Sequence, residues 1–243
     1  MNEFFCSYKL NKPIFSNGQN KKISADMKIV FGSDNFVFYL PSQAGDDSSC
    51  AEIYEDKAVF IWFAGLISNT DDFKSSEKKY PRLIAELYFE YQYGFINKLK
   101  GSFAFIIFDK KSRRLIVYKD RIGSMPLFYA KKNNQIFIAG SPAMILNNSP
   151  IIKELNFGFI GSYFLLDGLS AGLETEYKNI NSLLPGQMLV LSGREERKYK
   201  IAYKEIDIAN FSEAELESRY YEIIKNSIEQ AVPKKDVVIA LSG

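Results

Sequence analysis

The sequence predicts an α+β fold, and three observations carry that prediction. Short apolar runs alternate with polar turns through the first hundred residues, a β-meander follows from Gly101, and helical spacing is confined to a few segments between the strands. After Asp207 the texture changes to a long amphipathic helix followed by an apolar run, which marks a domain boundary and the opening of a separate α/β unit.

Taken in order, Glu3 to Tyr8, Met27 to Val30, Phe36 to Leu40 and Ala58 to Phe63 read as strands, with turn chemistry at Ser16-Asn17-Gly18 and Ala44-Gly45-Asp46-Asp47 between them. Pro81 suits a first helical position, and Leu83, Ile84, Leu87, Tyr88, Tyr91 and Phe95 recur at helical spacing, with Gly94 in the end region. The run Phe103-Ala104-Phe105-Ile106-Ile107-Phe108 is too uniformly apolar for a strand with one wet face, so both its faces should be covered. Asp109 to Arg113 turns the chain into Leu115 to Tyr118. A strand starting at Pro126, a turn at Asn133-Asn134 and a strand from Gln135 to Ala139 extend the sheet. Ser141-Pro142 supplies a cap and first residue for a short helix, and Asn156 caps another through Phe159, Tyr163 and Phe164. Strands around Gln187 to Leu191 and Arg197 to Tyr203 close the unit.

Beyond Asp207, Ser212-Glu213-Ala214-Glu215 is a capping box, and Leu216, Tyr220, Ile223, Ser227 and Ala231 share one face of the helix it opens. Pro233-Lys234-Lys235 ends that helix. Val237 to Leu241 then reads as a buried strand entering a phosphate-cradling turn at Ser242-Gly243. Read locally, a strand ending in a flexible Ser-Gly accounts for the same residues.

Composition removes several function classes. There is no histidine, which excludes Ser-His and Cys-His nucleophile pairs and the usual zinc and non-haem iron ligands. Cys6 and Cys50 are the only cysteines, too few for a disulfide framework or a four-thiol zinc site, and no metal site is expected. A net charge of +2, with lysines scattered among acids, offers no continuous basic face for nucleic acid. No apolar stretch is long enough to span a bilayer, and Met1-Asn2-Glu3-Phe4-Phe5 lacks the basic flank of a signal peptide. A cytoplasmic location without nucleic-acid or membrane partners is expected.

One block carries a family resemblance. Gly101-Ser102-Phe103-Ala104-Phe105-Ile106-Ile107-Phe108-Asp109, followed by Tyr118-Lys119-Asp120-Arg121-Ile122-Gly123-Ser124-Met125-Pro126-Leu127-Phe128-Tyr129, resembles the G-x-F-A-F-x-x-x-D and R-D-x-x-G-x-x-P-L-Y-Y signature of asparagine-synthetase-type amidotransferases. In the same order, Gly140 to Leu146 is similar to that family's A-S-E-x-K-A-L element, and Asn181 to Leu189 to its L-P-P-G-H-x-L segment. Leu241-Ser242-Gly243 matches the opening of its L-S-G-G-x-D-S pyrophosphatase loop. Within the central block, Asp120 and Arg121 are expected to order the turn, read either as a structural ion pair or as chemistry, and Gly123 supplies a backbone angle closed to other residues.

The resemblance implies an N-terminal-nucleophile hydrolase-like domain, a four-layer α/β/β/α sandwich over residues 1–207. Residues 208–243 would be a linker helix and the truncated start of an α/β ATP-pyrophosphatase domain. In such a glutaminase the chain begins with a cysteine whose thiolate attacks glutamine while its α-amine acts as base. Here the alignment puts Asn2 at the nucleophile position. Ala64 and Leu66, flanking Gly65, replace the asparagine and glutamate of the oxyanion and substrate contacts, and Tyr80 occupies the place of the pocket aspartate. The segment from Met27 to Leu40 holds none of the expected arginine. Cys6 sits inside the chain with an amide rather than an amine nitrogen, and packing is its expected role.

Three functional readings follow. The first is the N-terminal part of an ATP-dependent, carboxylate-adenylating amide ligase with a silent glutamine site, similar in this departure to β-lactam synthetases and lasso-peptide macrolactam synthetases. It implies ATP and Mg2+ in the full-length parent and none for this segment alone. Its partners would be the chain's own C-terminal synthetase domain and a small-molecule or peptide carboxylate, with a homodimer as an open expectation. The second is a non-catalytic scaffold or partner-binding domain. The third is a working glutaminase acting through Cys6.

Overall fold

The computed structural model describes residues 3–10, 23–42, 51–73, 79–168, 172–193, 195–200 and 210–232. Its strands are β1 (Phe5–Lys9), β2 (Met27–Gly32), β3 (Phe36–Pro41), β4 (Ala51–Glu55), β5 (Val59–Ile67) and β6 (Gly101–Asp109). They continue as β7 (Arg114–Lys119), β8 (Phe128–Lys132), β9 (Gln135–Ala139), β10 (Asn181–Ser182), β11 (Gln187–Ser192) and β12 (Glu195–Lys200). The helices are α1 (Tyr80–Tyr91), α2 (Pro142–Asn148), α3 (Phe157–Leu165) and α4 (Glu213–Ala231).

Two six-stranded antiparallel sheets result, ordered β10-β8-β9-β1-β3-β2 and β12-β11-β7-β6-β5-β4. The side-chain period of two sorts each central strand into two layers. On β6, Ala104, Ile106 and Phe108 point into the space between the sheets with Phe4, Cys6 and Tyr8 from the other sheet. Phe103, Phe105 and Ile107 point the opposite way, against Leu83, Ile84 and Leu87 of α1. Phe5, Phe137 and Ala139 cover the outer face of the first sheet with Ile145 of α2. The order is therefore helix, sheet, sheet, helix, the four-layer sandwich that the resemblance implies. The uniformly apolar run from Phe103 to Phe108 is buried throughout because both its faces are covered.

Local chemistry sets most element ends. The Ser141 hydroxyl accepts the Met144 N–H with Pro142 following, and Asn156 Oδ1 accepts the Phe159 N–H. Both halves of the Ser212–Glu215 capping box are formed. Asn133 and Asn134 carry φ of 50° and 59°, the left-handed pair of a tight hairpin between β8 and β9.

Some expectations shift. The strand expected from Pro126 begins at Phe128, since proline has no N–H for the ladder. Helix α1 starts at Tyr80 and stops at Tyr91, where Gln92 turns to φ 50° and a 3-10 segment runs on to Lys98. Strands β4 and β10 were not expected. The expected strand from Arg197 to Tyr203 is seen as Glu195–Lys200, and residues 201–203 lie outside the described residues. So does the terminal run from Val237 through Leu241, Ser242 and Gly243. On α4, Tyr220 and Ile223 of the expected apolar side stand exposed. Among the described residues no helix is long and apolar enough to cross a membrane.

Candidate functional site

The end of β5 holds three of the four positions that the resemblance assigns to a glutamine pocket. Ala64 is fully buried, paired across the sheet with Ala51 on β4 and Ala104 on β6. Its methyl faces the interlayer, where Phe4 stands 4.2 Å from Trp62 and 5.6 Å from Phe38, ring centroid to centroid. Leu66, two residues on and therefore on the same face, is 40 % exposed at the strand's end. Neither side chain carries a hydrogen-bond donor or a charge.

Between them Gly65 adopts φ 115°, and a Cβ there would lie 2.1 Å from the Ser102 carbonyl oxygen. Gly101 reciprocates at φ 139°, with a Cβ position 2.2 Å from the Leu66 carbonyl. Two backbones thus approach each other more closely than any side chain allows, which explains both glycines. Asn69 anchors the following loop: its Nδ2 donates to the Lys98 carbonyl and Asp72, and its Oδ1 accepts the Lys100 N–H.

Tyr80 lies on the other side of the sheet. Its ring packs 5.0 Å from Phe63 in the outer layer, so the structure does not bring it onto the face that Ala64 and Leu66 share. There it meets Glu52 of β4, whose carboxylate accepts the Tyr80 main-chain N–H beside Lys79. Burial raises the Glu52 pKa, against the lowering by Lys79 and that hydrogen bond. Burial, then Glu52, raises the Tyr80 hydroxyl, which stays protonated at neutral pH. Glu52 is the polar residue near the site that the sequence reading missed; Ile53 and Tyr54 set between Glu52 and Glu55 were its only signal, a weak half-wet alternation.

Cys6, the second residue of β1, pairs with Phe38 and Ile138 and is wholly buried. Burial pushes its thiol pKa well above the ordinary value, so the thiolate is disfavoured. Asn2 lies outside the described residues, as do Leu241, Ser242 and Gly243. Strands β2 and β3, where an arginine was sought, carry aromatic residues into the core, with Phe31, Phe36 and Phe38 buried.

The motif at Asp120 has a structural role. Its Oδ1 accepts the N–H groups of Ile122 (2.9 Å) and Gly123 (2.8 Å), and its Oδ2 those of Phe103 (3.2 Å) and Ser124 (2.9 Å). These bonds order the turn, a task the sequence reading had shared with Arg121; Arg121 Nη2 instead reaches the Asn97 carbonyl at 3.4 Å. The Asp120 carbonyl accepts from Gly186 at 2.7 Å, and Gly123, at φ 76°, has room for no Cβ beside Pro185. Two segments more than sixty residues apart thereby lock together. Lys119 is buried beside them, its Nζ on the Leu183 carbonyl at 3.2 Å; burial lowers its pKa and Asp120 opposes that. Among the described residues no group of three or more His, Cys, Asp or Glu side chains is placed to hold a metal ion.

Comparison with known proteins adds to this geometry. Residues 53–201 match the family model described as a glutamine amidotransferase domain. The chain is 24 % identical over 206 residues to asparagine synthetase [glutamine-hydrolyzing] 2 of Bacillus subtilis (strain 168), covering 77 % of this chain and 27 % of that protein. It is 28 % identical over 175 residues to amidase chyE of Penicillium rubens, covering 66 % and 24 %. Among solved structures, a glutamine phosphoribosylpyrophosphate amidotransferase from B. subtilis aligns with a TM-score of 0.44 and 12 % identity, covering 84 % of this chain and 44 % of that one. The chain spans about a quarter of the length of these two curated relatives.

Proposed function

The chain belongs to the glutamine amidotransferase domain family, and from that membership we propose that it is the glutaminase-like module of an asparagine-synthetase-like amide ligase whose own glutamine site does not turn over. The observation that carries the second half is Ala64: a buried methyl stands where the family motif places an oxyanion donor.

Glutamine hydrolysis through this fold needs a nucleophile, a base and a donor for the tetrahedral oxyanion. The motif alignment puts a carboxamide, Asn2, at the first position. Ala64 offers no N–H from its side chain, and Leu66 offers no carboxylate to a substrate amine. Losing one oxyanion donor costs about a hundred- to a thousandfold in rate, and here the nucleophile is replaced as well. Cys6 does not substitute, because its thiol is buried and protonated and its own nitrogen is a peptide amide within the β1 ladder.

The ligase half rests on the similarity to asparagine synthetase and on Leu241-Ser242-Gly243, which would open a nucleotide loop. In that reading ATP and Mg2+ adenylate a carboxylate held by a synthetase domain, and the attacking amine is free ammonia or a group of the substrate itself. Residues 1–207 form the amidotransferase-like domain and 208–243 lead into the synthetase domain. Cytoplasmic location and a homodimer belong to the same proposal.

The test has two arms. Purified chain incubated with glutamine should release no glutamate above the blank. The full product of the gene should catalyse ATP–pyrophosphate exchange that depends on a carboxylate, with ammonia supporting product formation and glutamine not. Absence of exchange with any carboxylate would favour a scaffold role.

A further inference from the structure

We propose that the cleft between α3 and residues 174–176 binds a small organic cation carrying an alkylated ammonium group. The cleft lies on the side of the first sheet where β8 and β10 pair, away from Ala64, and the proposal does not rest on the amidotransferase reading. Its volume is about 500 Å3, within the range of small-molecule sites.

Its walls have the chemistry of cation recognition. Phe159 and Tyr163, one helical turn apart on α3, present rings 6.0 Å apart and inclined by only 27°. Phe164 is turned 79° to Tyr163 at 6.2 Å, which makes a corner of the aromatic wall. Phe128, at the start of β8, supplies a fourth ring. The negative faces of such rings attract an ammonium group, most strongly where water is partly excluded. Opposite sign comes from two carboxylates, Glu174 and Glu176, and no lysine or arginine is among the described residues that line the cleft. The two carboxylates favour a cation over an uncharged ligand of the same shape.

The Glu174 carboxylate and the backbone of Glu176 are held in place relative to the rings. Asn156 caps α3 through Oδ1 on the Phe159 N–H at 3.2 Å, while its Nδ2 donates to the Glu174 carboxylate at 3.2 Å. Its main-chain N–H donates to the Glu176 carbonyl at 2.8 Å, and Leu155 bridges to Tyr177. One residue thus registers the acidic segment on the helix that carries three of the rings. Thr175 lies buried between the two glutamates and donates to the Ile180 carbonyl at 2.8 Å, which fixes the backbone that carries them. The solvent-facing exposure of Tyr163 (42 %) and Phe164 (78 %) leaves the site open to a ligand from bulk water.

The probe is choline, set against 3,3-dimethylbutan-1-ol, its neutral carbon isostere, each titrated into the 243-residue chain by calorimetry and by NMR. Choline should bind about three- to thirtyfold more tightly than the alcohol. Tyr163→Leu and Glu176→Gln should each weaken choline at least about threefold without changing the melting temperature, and Glu176→Gln should leave the alcohol unaffected. Equal binding of the two isosteres would reduce the cleft to a plain apolar groove and overturn the proposal. So would failure of choline to bind at millimolar concentration, or choline binding that both variants leave intact.

Discussion

Phe4 and Trp62 stand with ring centroids 4.2 Å apart and planes inclined by 42°, in the layer between the two sheets. Trp62 lies two residues before Ala64 on the same face of β5, so the contact falls beside a position where the family motif places a polar side chain. Aromatic carbon fills that layer: Phe31, Phe36, Phe38, Phe60 and Phe108 continue the cluster. Burial of each such side chain is worth about 2 kcal/mol. The layer between the sheets is thus a continuous aromatic core.

The close approach of β5 and β6 makes Gly65 irreplaceable. In Gly65→Ala the new methyl meets the Ser102 carbonyl at 2.1 Å and the backbone remains at a φ of 115°, so both sterics and dihedral strain oppose it. A loss of about 3 kcal/mol or more is expected, read as a lowered urea midpoint. A midpoint equal to wild type would show that the two strands can part without cost.

At Asp120 the prediction concerns hydrogen-bond polarity. Asp120→Asn keeps the shape but places an NH2 group against N–H donors that now meet a carboxylate oxygen. Unfolding free energy should fall by about 2 kcal/mol or more. Asp120→Glu, too long for the turn, should not restore it. A fully stable Asp120→Asn variant would contradict the assigned role.

The buried Cys6 thiol should be inert. In the native protein, iodoacetamide at neutral pH should leave the peptide containing Cys6 unmodified by mass spectrometry, and in denaturant the same peptide should alkylate completely. Rapid native labelling would mean an accessible or ionised thiol and would reopen a catalytic reading of Cys6.

Stability should depend on pH through Asp109. Burial acts to raise its pKa, but the Ser112 main-chain N–H and hydroxyl, the Tyr88 hydroxyl and the Lys111 N–H outweigh it, and the net shift is downward. A carboxyl whose folded pKa is depressed stabilises above its unfolded value, about 4, and loses that contribution as pH falls through the folded value. The wild type should therefore lose urea resistance below about pH 4, and Asp109→Asn, less stable at neutral pH, should lose less over the same window. Parallel pH profiles would contradict the assignment.

How far these features could be read from residues alone depended on their range. The caps at Ser141, Asn156 and Ser212 are legible because each bond spans three residues, and the double-sided burial of Phe103 to Phe108 is written in six consecutive apolar side chains. Strand β4 was missed because an edge strand with Glu52 and Glu55 among its residues lacks clean alternation. The meeting of Glu52 with Tyr80, of Gly123 with Pro185, and of Asn156 with Glu174 are tertiary events between segments whose separate patterns carry no sign of one another. Alignment placed Ala64, Leu66 and Tyr80 together, whereas Tyr80 opens α1, which packs on the outer face of the sheet, opposite to the face of Ala64.

The central claim, an amidotransferase fold whose glutamine site is silent, is tested most directly by glutamate release from glutamine. The wild-type chain and Cys6→Ala should both release glutamate at the rate of the protein-free blank. Release above that blank by the wild type, abolished in Cys6→Ala or not, would contradict it.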